Sequence, residues 1–315
     1  MEPPGPVPDA RDTTRARNEP AMDTLTSCAT ASAHAAEPIA GTATATTPRW
    51  LVIEHTGPWP RKGLPESMRP DLRLAVEAAS EAVPGTRVLL ARGERAVEPD
   101  GPRIWIAHAS AMARSIQMVR LGPDQPAGSL DLVARLRGDR NDGEPIESLL
   151  LVCTHGQRDR CCARVGMPVY QSLRSIAPDE TLRASHLGGH RFAPTLVALP
   201  VGAHFGRVGT DDAPALVAAV RAGHRGLARW YRGRTFASRP AQTAMCHLHD
   251  VLEEPSLDAL VVESEHQQDD TATVHIRHGD RVHRVDLALA PHTVPLIKSC
   301  GEAPTAVPGW RVIST

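Results

Sequence analysis

The sequence predicts an α/β protein made of two successive units with the same order of elements. Short apolar runs typical of buried strands alternate with segments in which apolar residues recur at helical spacing. Proline and glycine stand where these segments end, as at Pro84 and Gly223. The resulting order, β-α-β-β-β-α, occurs twice and contains the β-α-β-β-α arrangement of thioredoxin. We therefore predict two tandem thioredoxin-like lobes, followed by a C-terminal helix and β-hairpin extension.

Length and charge limit the classes of function. A chain of 315 residues suits about two domains. Its net charge of −1 argues against a general nucleic-acid binder, which would carry a basic field. We expect no membrane association and a cytoplasmic location, since the sequence shows no run of about 18 apolar residues and no secretory signal. The six cysteines are more typical of ligands or redox groups than of a disulfide scaffold.

Four segments are predicted along the chain. Residues 1–47 form a mostly disordered N-terminal segment, in which 1–20 are disordered and 21–47 lie along the folded body. Cys28, in the second part, is either a stray thiol or a residue near the site described below. The other segments are a first lobe without ligands (48–145), a second lobe with the ligands (146–236) and the C-terminal extension (237–315).

Apolar runs and stop signals mark the elements of the first lobe. A buried strand at 50–54 ends in a proline-rich turn, and a helix at 70–83 stops at Pro84 and Gly85. The remaining predictions are strands at 86–91, 103–107 and 116–121, the last two as a hairpin, and a short amphipathic helix at 130–137.

The second lobe follows the same order. A strand at 149–152 precedes a helix at 168–176, which Pro178 ends. The further predictions are strands at 181–185, 195–199 and 204–208, and a helix at 213–222 with Gly223 as its cap. In the extension, a helix at 241–252 precedes a hairpin of strands 271–277 and 282–289.

Candidate ligands begin where the strand at 149–152 ends. The strand runs into Cys153, and a polar, arginine-rich loop then leads to Cys161 and Cys162. Open α/β sheets place their ligands at this end of the strands. The C-x8-C spacing of Cys153 and Cys162 is too long for the C-x-x-C of a zinc knuckle or a dithiol oxidoreductase. Cys161 is the alternative to Cys162, because adjacent cysteines cannot easily bind the same metal. The structural alternative is that these cysteines are small buried hydrophobic residues.

Two histidines follow the next strand, in the sequence HLGGH. Gly188 and Gly189 argue against a continuous helix and predict a tight loop that lets His186 and His190 turn inward. Two sulfur and two imidazole donors at the ends of neighbouring strands are the makeup of a metal or iron–sulfur site. Two further residues could support this site or bind in it: His155, which follows Cys153, and Arg191, which could hydrogen-bond a bridging sulfide or a partner.

The segments CTHGQRDRCCA and HLGGHRFA resemble the sucrase/ferredoxin-like family of thioredoxin-like ferredoxins. PIAGTA (38–43), RWLVIEHTGPW (49–59) and SCG (299–301) are similar to segments of its bacterial members. The resemblance implies a [2Fe–2S] cluster held by the residues at the matching positions, which are Cys153, Cys162, His186 and His190. Many relatives have Arg-Cys-Gly where this chain has Cys-Cys-Ala at 161–163, which leaves open which thiol binds.

One-electron transfer is the function that the resemblance implies, and we expect a carrier rather than a catalyst. Two imidazoles in place of two thiolates should raise the potential, and protons on their free ring nitrogens should couple it to pH. The sequence shows neither a flavin or nicotinamide fingerprint nor the paired carboxylates of a sucrase, so the redox partner is expected to be another, unidentified protein. Alternatives are a Cys2His2 zinc module, a thiol–disulfide redox protein and a plain interaction module. The sequence does not indicate the oligomeric state.

Overall fold

The computed structural model describes residues 27–93, 100–111 and 113–315, and the disorder predicted for residues 1–20 lies outside them. The described chain forms a mixed ten-stranded sheet with helices, and a four-stranded antiparallel sheet. The predicted α/β class is therefore confirmed. Among the described residues, no α-helix combines the length and the apolar composition that a membrane span requires.

The helices and strands are numbered in chain order. The α-helices are α1 (Cys28–His34), α2 (Pro70–Ala82), α3 (Leu132–Arg137), α4 (Arg160–Ile176), α5 (Ala213–Arg221) and α6 (Arg239–Val251). The large sheet contains β1 (Arg49–Glu54), β2 (Thr86–Arg92), β3 (Arg103–His108), β4 (Ser115–Arg120), β5 (Glu144–Pro145), β6 (Leu149–Cys153), β7 (Thr181–Ala184), β8 (Thr195–Leu199), β9 (Ala203–Gly206) and β10 (Tyr231–Arg234). The small sheet contains β11 (Leu260–Gln268), β12 (Thr271–His278), β13 (Arg281–Pro291) and β14 (Pro308–Ser314).

Strand pairing repeats in the two halves of the large sheet. β1 pairs in parallel with β2 and antiparallel with β3, which pairs antiparallel with β4. In the same way β6 pairs in parallel with β7 and antiparallel with β8, which pairs antiparallel with β9. The halves join through β2 and β7, where Ala91 lies opposite Ala184. The predicted repeat in element order is thus matched by a repeat in pairing.

Three apolar clusters account for the buried strands of this sheet. One lies between the first half and helices α2 and α3, and another between the second half and helices α4 and α5. The third contains residues of both halves, among them Trp50, Leu89 and Val197. Strands that are covered on both faces read as continuous apolar runs, which explains why β1 and β6 stand out in the sequence. Cys153 and Cys162 belong to this third cluster, so the candidate site adjoins both halves.

The C-terminal extension is larger than the predicted helix and hairpin. Helix α6 and the antiparallel pair of β12 and β13 confirm those two elements. Strands β11 and β14 flank the pair and complete the four-stranded sheet. Most side chains of β11 and β14 are exposed, so their sequences lack the apolar pattern that would reveal them.

The start of helix α4 differs from the prediction. The sequence pattern places Cys161 and Cys162 in a loop and begins the helix at Pro168, whereas the helix begins at Arg160. Asp159 is its N-cap and accepts the N–H of Cys161 at 2.9 Å. Pro168 lies inside the helix, although proline is commoner at the first helical position, which is why the pattern misplaces the start. The prediction of a loop here is wrong, and both cysteines lie in the first turn of α4.

The segment before β1 lies along the folded body for its described part, as predicted. The N–H groups of Thr42 and Ala43 donate to the carbonyl of Arg232, and that of Thr47 donates to the carbonyl of Thr235. Helix α1, which the sequence pattern does not reveal, holds Cys28 fully buried. The chain between α1 and β1, which we call the strap, therefore contacts the second half of the large sheet.

Candidate metal centre

Parallel pairing of β6 and β7 brings the first group of donors together. The register sets Cys153 opposite Ala184, so His186 follows two residues beyond the strand end that holds Cys153. The sulfurs of Cys153 and Cys162 and a ring nitrogen of His186 lie within 4.8 Å of one another. The Cys162 sulfur is 4.0 Å from Nδ1 of His186. We call these three residues the first cluster; they are three of the four predicted ligands.

His190, the fourth predicted ligand, lies at the edge of the first cluster. Its ring centroid is 5.4 Å from that of His186. Its Nδ1 is 3.1 Å from Oδ2 of Asp159 and 3.4 Å from the sulfur of Cys28. In this structure His190 therefore stands between the first cluster and a second group of donors.

That second group brings together side chains from three distant parts of the sequence. The sulfur of Cys161 is 3.5 Å from that of Cys28 and 3.3 Å from that of Cys300. The Cys300 and Cys28 sulfurs are 3.6 Å apart, and Oδ1 of Asp159 is 3.3 Å from the Cys300 sulfur. All four donors lie within 4.8 Å of one another. We call Cys28, Asp159, Cys161 and Cys300 the second cluster.

Helix geometry assigns the two adjacent cysteines to different clusters. Successive residues of an α-helix are rotated by about 100°, so neighbouring side chains cannot point at the same spot. In the first turn of α4, Cys162 faces Cys153, and Cys161 faces Cys28 and Cys300. The structure thus gives Cys161 partners other than those of Cys162.

Three side chains hold the loop from 186 to 190 by hydrogen bonds to its backbone carbonyls. We call it the ligand loop, because it contains the candidate ligands His186 and His190. Arg87 Nη2 donates to the carbonyl of His186 at 2.7 Å. Thr44 Oγ1 donates to the carbonyl of Leu187 at 2.9 Å, and Arg232 Nη1 to that of Gly188 at 3.1 Å. Arg87 comes from β2, so the first half of the large sheet takes part in fixing this loop.

Gly188 and Gly189 form the predicted tight loop. Both have positive φ, at 95° and 70°, where residues with a Cβ are strained. A Cβ on Gly189 would also lie only 2.3 Å from Nη2 of Arg232. The backbone conformation therefore favours glycine at 189, and a Cβ there would also require the Arg232 guanidinium to move.

Arg191 and His155, the other two predicted supporting residues, have distinct surroundings. Arg191 Nε donates to Glu37 at 2.8 Å, in an ion pair that ties the ligand loop to the strap after α1. His155 is buried, and neither of its ring nitrogens has a hydrogen-bond partner among the described residues. Its ring meets that of Trp59 edge to face at 5.9 Å. Burial lowers the pKa of His155, so it lies neutral behind Cys153.

Ionisation is uneven within the first cluster. The hydrogen bond from the Cys162 thiol lowers the pKa of Cys153 well below its usual range, and His186 acts in the same direction, although burial opposes the shift. The same hydrogen bond raises the pKa of Cys162. This shift favours the thiolate of Cys153, and the thiolate is the form of cysteine that binds metals.

Ionisation is also uneven within the second cluster, where one thiol has a lowered pKa and another a raised pKa. The hydrogen bond from Cys28 lowers the pKa of the Cys161 thiol to about 6 and raises that of Cys28. Burial would raise the pKa of Asp159, but hydrogen bonds from His190 and from the N–H groups of Cys161 and Cys300 outweigh it and lower the pKa. Asp159 is therefore a buried anion whose carboxylate lies within 4.8 Å of three sulfurs.

Comparison with known proteins identifies the family to which the chain belongs. The family model described as sucrase/ferredoxin-like matches residues 39–233, which is more than half of the chain. The chain belongs to the sucrase/ferredoxin-like family. No curated protein and no solved structure shows a significant match to it. The sucrase/ferredoxin-like region contains the whole first cluster and His190, whereas Cys28 and Cys300 lie outside it.

Several residues around the clusters are not assigned to a site by the sequence. The sequence predicts Cys28 to be either a stray thiol or a residue near the site, and Cys300 stands in a segment similar to family members without an assigned role. Only the folded chain shows both beside Cys161. Arg87 and Arg232 act on backbone carbonyls, which a motif does not display. Asp159 offers one available signal, because aspartate directly before a helical segment is a common N-cap.

Proposed function

We propose that the protein is a one-electron carrier that binds a [2Fe–2S] cluster through Cys153, Cys162, His186 and His190. The observation that supports this most directly is the meeting of Cys153, Cys162 and His186 at the ends of two parallel strands, with His190 alongside. The donor set fits the group, since two thiolates and two imidazoles are the ligands of Rieske-type [2Fe–2S] centres. Membership of the sucrase/ferredoxin-like family points the same way.

We further propose that each half of the large sheet is a thioredoxin-like lobe, with limits near 48–145 and 146–236. The repeated strand pairing supports this division. The first lobe then serves the second, because Arg87 holds the ligand loop and Trp59 covers His155.

Burial suggests the route of electrons and protons. Cys153 and Cys162 are buried, whereas His186 and His190 are partly exposed. The histidine edge is therefore the place where another protein would exchange electrons. When bound, the cluster would supply the redox-active iron, and the ring nitrogens of these histidines that do not bind it would hold exchangeable protons.

A zinc site is the second candidate, favoured by one observation. As they stand, the donors of Cys153, Cys162 and His186 lie within 4.8 Å of one another, which also suits a single tetrahedral ion. A thiol–disulfide activity is a weaker candidate, because the C-x-x-C motif is lacking in the sequence.

The visible spectrum of anaerobically purified protein, with iron, sulfide and zinc assayed on the same sample, separates these functions. The proposal predicts a red-brown protein with about two irons per chain that dithionite bleaches. Cys153→Ser should lose the colour and the iron. Cys246→Ser, which changes a buried cysteine in α6 away from both clusters, should keep them.

A colourless wild-type protein whose single zinc depends on Cys153 would replace the carrier with the zinc module. Failure to take up iron even after anaerobic reconstitution, with the circular dichroism of a folded protein, would also contradict the proposal.

A further inference from the structure

We propose that the second cluster is a separate binding site for one soft metal ion of the Zn²⁺ type, with Cys28, Cys161 and Cys300 as thiolate ligands and Asp159 as the fourth donor. This site goes beyond the electron-carrier function and does not depend on it. The second cluster uses none of the donors that form the first cluster.

The triangle of sulfurs has the size that one ion requires. Its sides are 3.5, 3.3 and 3.6 Å. Thiolates bound to Zn²⁺ at about 2.3 Å in tetrahedral geometry stand about 3.8 Å apart. The three sulfurs therefore need to separate by only a few tenths of an ångström to enclose an ion.

The fourth donor indicates the class of metal. Asp159 places Oδ1 at 3.3 Å from the Cys300 sulfur, and one of its oxygens lies within 4.8 Å of all three sulfurs. Three thiolates and a carboxylate complete a tetrahedron of the kind that Zn²⁺ accepts. Cu(I) prefers sulfur donors alone, so the carboxylate favours Zn²⁺.

Separate contacts bring the two distant thiols to Cys161. On the N-terminal side, Arg207 donates to the carbonyls of Ser32 and Glu37 and thereby fixes the end of α1, the helix that contains Cys28. On the C-terminal side, the N–H of Cys300 and the hydroxyl of Ser299 donate to Asp159 at 3.2 and 3.3 Å. Both segments are thus anchored at the site by groups other than the thiols.

The surroundings of the second cluster suit a buried metal. Cys28 is fully buried and Cys161 is 3% exposed, whereas Cys300 is partly exposed. The His190 ring borders the cluster, with Nδ1 at 3.4 Å from the Cys28 sulfur, and the other neighbours of the thiols are small or apolar: Ala29, Val165, Ala193 and Ile297. An apolar shell limits the access of water and of competing ligands to a bound ion.

A metal bound here would link the segments that contain Cys28 and Cys300 to the part of the chain that the family model matches. Cys28 and Cys300 are 272 positions apart, and both lie outside residues 39–233, which contain Cys161 and Asp159. Because binding requires the folded arrangement, the ion would stabilise the fold and hold both end segments on it.

Metal titration of a variant without the first cluster tests this site. In the full chain with Cys153→Ser and Cys162→Ser, purified anaerobically and stripped of metal, we expect one Co²⁺ per chain with strong thiolate charge-transfer absorption. Zn²⁺ should displace it and raise the melting temperature. Adding Cys161→Ser, Cys28→Ser or Cys300→Ser should weaken binding by about 100-fold or more, since outer-shell changes alone cost 10- to 100-fold. Adding Cys246→Ser instead should leave binding unchanged.

The unsubstituted chain gives an independent readout. Bound Zn²⁺ should protect Cys28, Cys161 and Cys300 from alkylation, as read by peptide mass spectrometry, and a chelator should remove the protection. Alkylation of these thiols at the same rate with and without Zn²⁺ would overturn the site, as would stronger binding of Cu(I) without need of Asp159. A disulfide between any two of the three thiols in freshly purified protein would also overturn it. None of these results would touch the iron of the first cluster, so the two proposals can fail separately.

Discussion

Cys161 and Cys162 are consecutive residues, yet their thiols belong to different clusters. The sulfur of Cys161 lies 3.3 Å from that of Cys300, which is 139 positions away, whereas that of Cys162 lies 4.0 Å from the ring of His186. The cause is the helix that begins at Arg160, because it turns neighbouring side chains apart. Two adjacent cysteines can thus serve two sites without competing for one metal.

Replacing an imidazole by a thiolate should lower the reduction potential. We expect His186→Cys to keep a cluster whose potential is lower and depends less on pH than that of the wild type, because a thiolate adds negative charge and has no ring proton. Redox titration between pH 6 and 10 measures both effects. His247→Cys, a change in α6 away from the clusters, is the control and should leave the potential unchanged. A wild-type potential that stays flat across this range would contradict the coupling to protons.

The ligand loop should not tolerate a side chain at residue 189. Gly189 and Gly223 both have φ near 70°, so alanine at either position carries a similar backbone cost of about 1 kcal/mol. Only at Gly189 would the new Cβ also meet Arg232, at 2.3 Å. We expect Gly189→Ala to lose cluster iron and to melt at a lower temperature than Gly223→Ala. Equal iron content and melting temperature in the two variants would show that the loop can move aside.

Arg87, in the first half of the large sheet, should tune the first cluster. We expect Arg87→Gln to lower the reduction potential while iron is retained, because the variant removes a partly buried positive charge and the hydrogen bond to the carbonyl of His186. Arg92→Gln is the matched control on the same strand, since Arg92 binds the carbonyls of Thr56 and Gly57 instead. A potential that shifts equally in both variants would indicate a general effect of charge and not the hold on the loop.

Buried His249 should make the fold sensitive to acid. Burial lowers its pKa from 6.5 to about 4, and its Nδ1 lies 2.8 Å from the carbonyl of Glu254. As pH falls below 6.5, the unfolded chain takes up a proton that the folded chain refuses, so stability is lost between pH 6.5 and 4. The loss amounts to about 3 kcal/mol at most.

His249→Asn tests this cause, since an amide can keep the bond to the carbonyl without titrating. Denaturant unfolding at pH 7 and pH 4.5 should show a smaller loss of unfolding free energy in the variant than in the wild type. The same loss in both proteins would assign the acid sensitivity to other groups.

The sequence allowed the large sheet to be predicted well because its strands are covered on both faces. β1 and β6 read as unbroken apolar runs, and proline and glycine mark the ends of several helices. β10 escapes detection because its buried side chains include Arg232 and Arg234, whose charges hide a core strand. The exposed strands β11 and β14 escape for the opposite reason, since they have little apolar surface to reveal them.

The candidate site could be predicted only where its donors follow neighbouring strands. Cys153 and His186 come together because β6 and β7 are parallel, which the order of elements implies. The partners of Cys161 depend on how both ends of the chain fold back, and no local pattern records such long-range contacts. The direction of Cys161 also depends on a helix start that the proline at 168 conceals.

Metal analysis of Cys162→Ser and Cys161→Ser, with iron and zinc measured on the same samples of each full chain, tests the account most directly. We predict that Cys162→Ser loses iron and keeps one zinc, and that Cys161→Ser loses zinc and keeps about two irons. Loss of both metals in each of two folded variants would mean that the adjacent cysteines serve a single shared centre, and it would contradict the division into two sites.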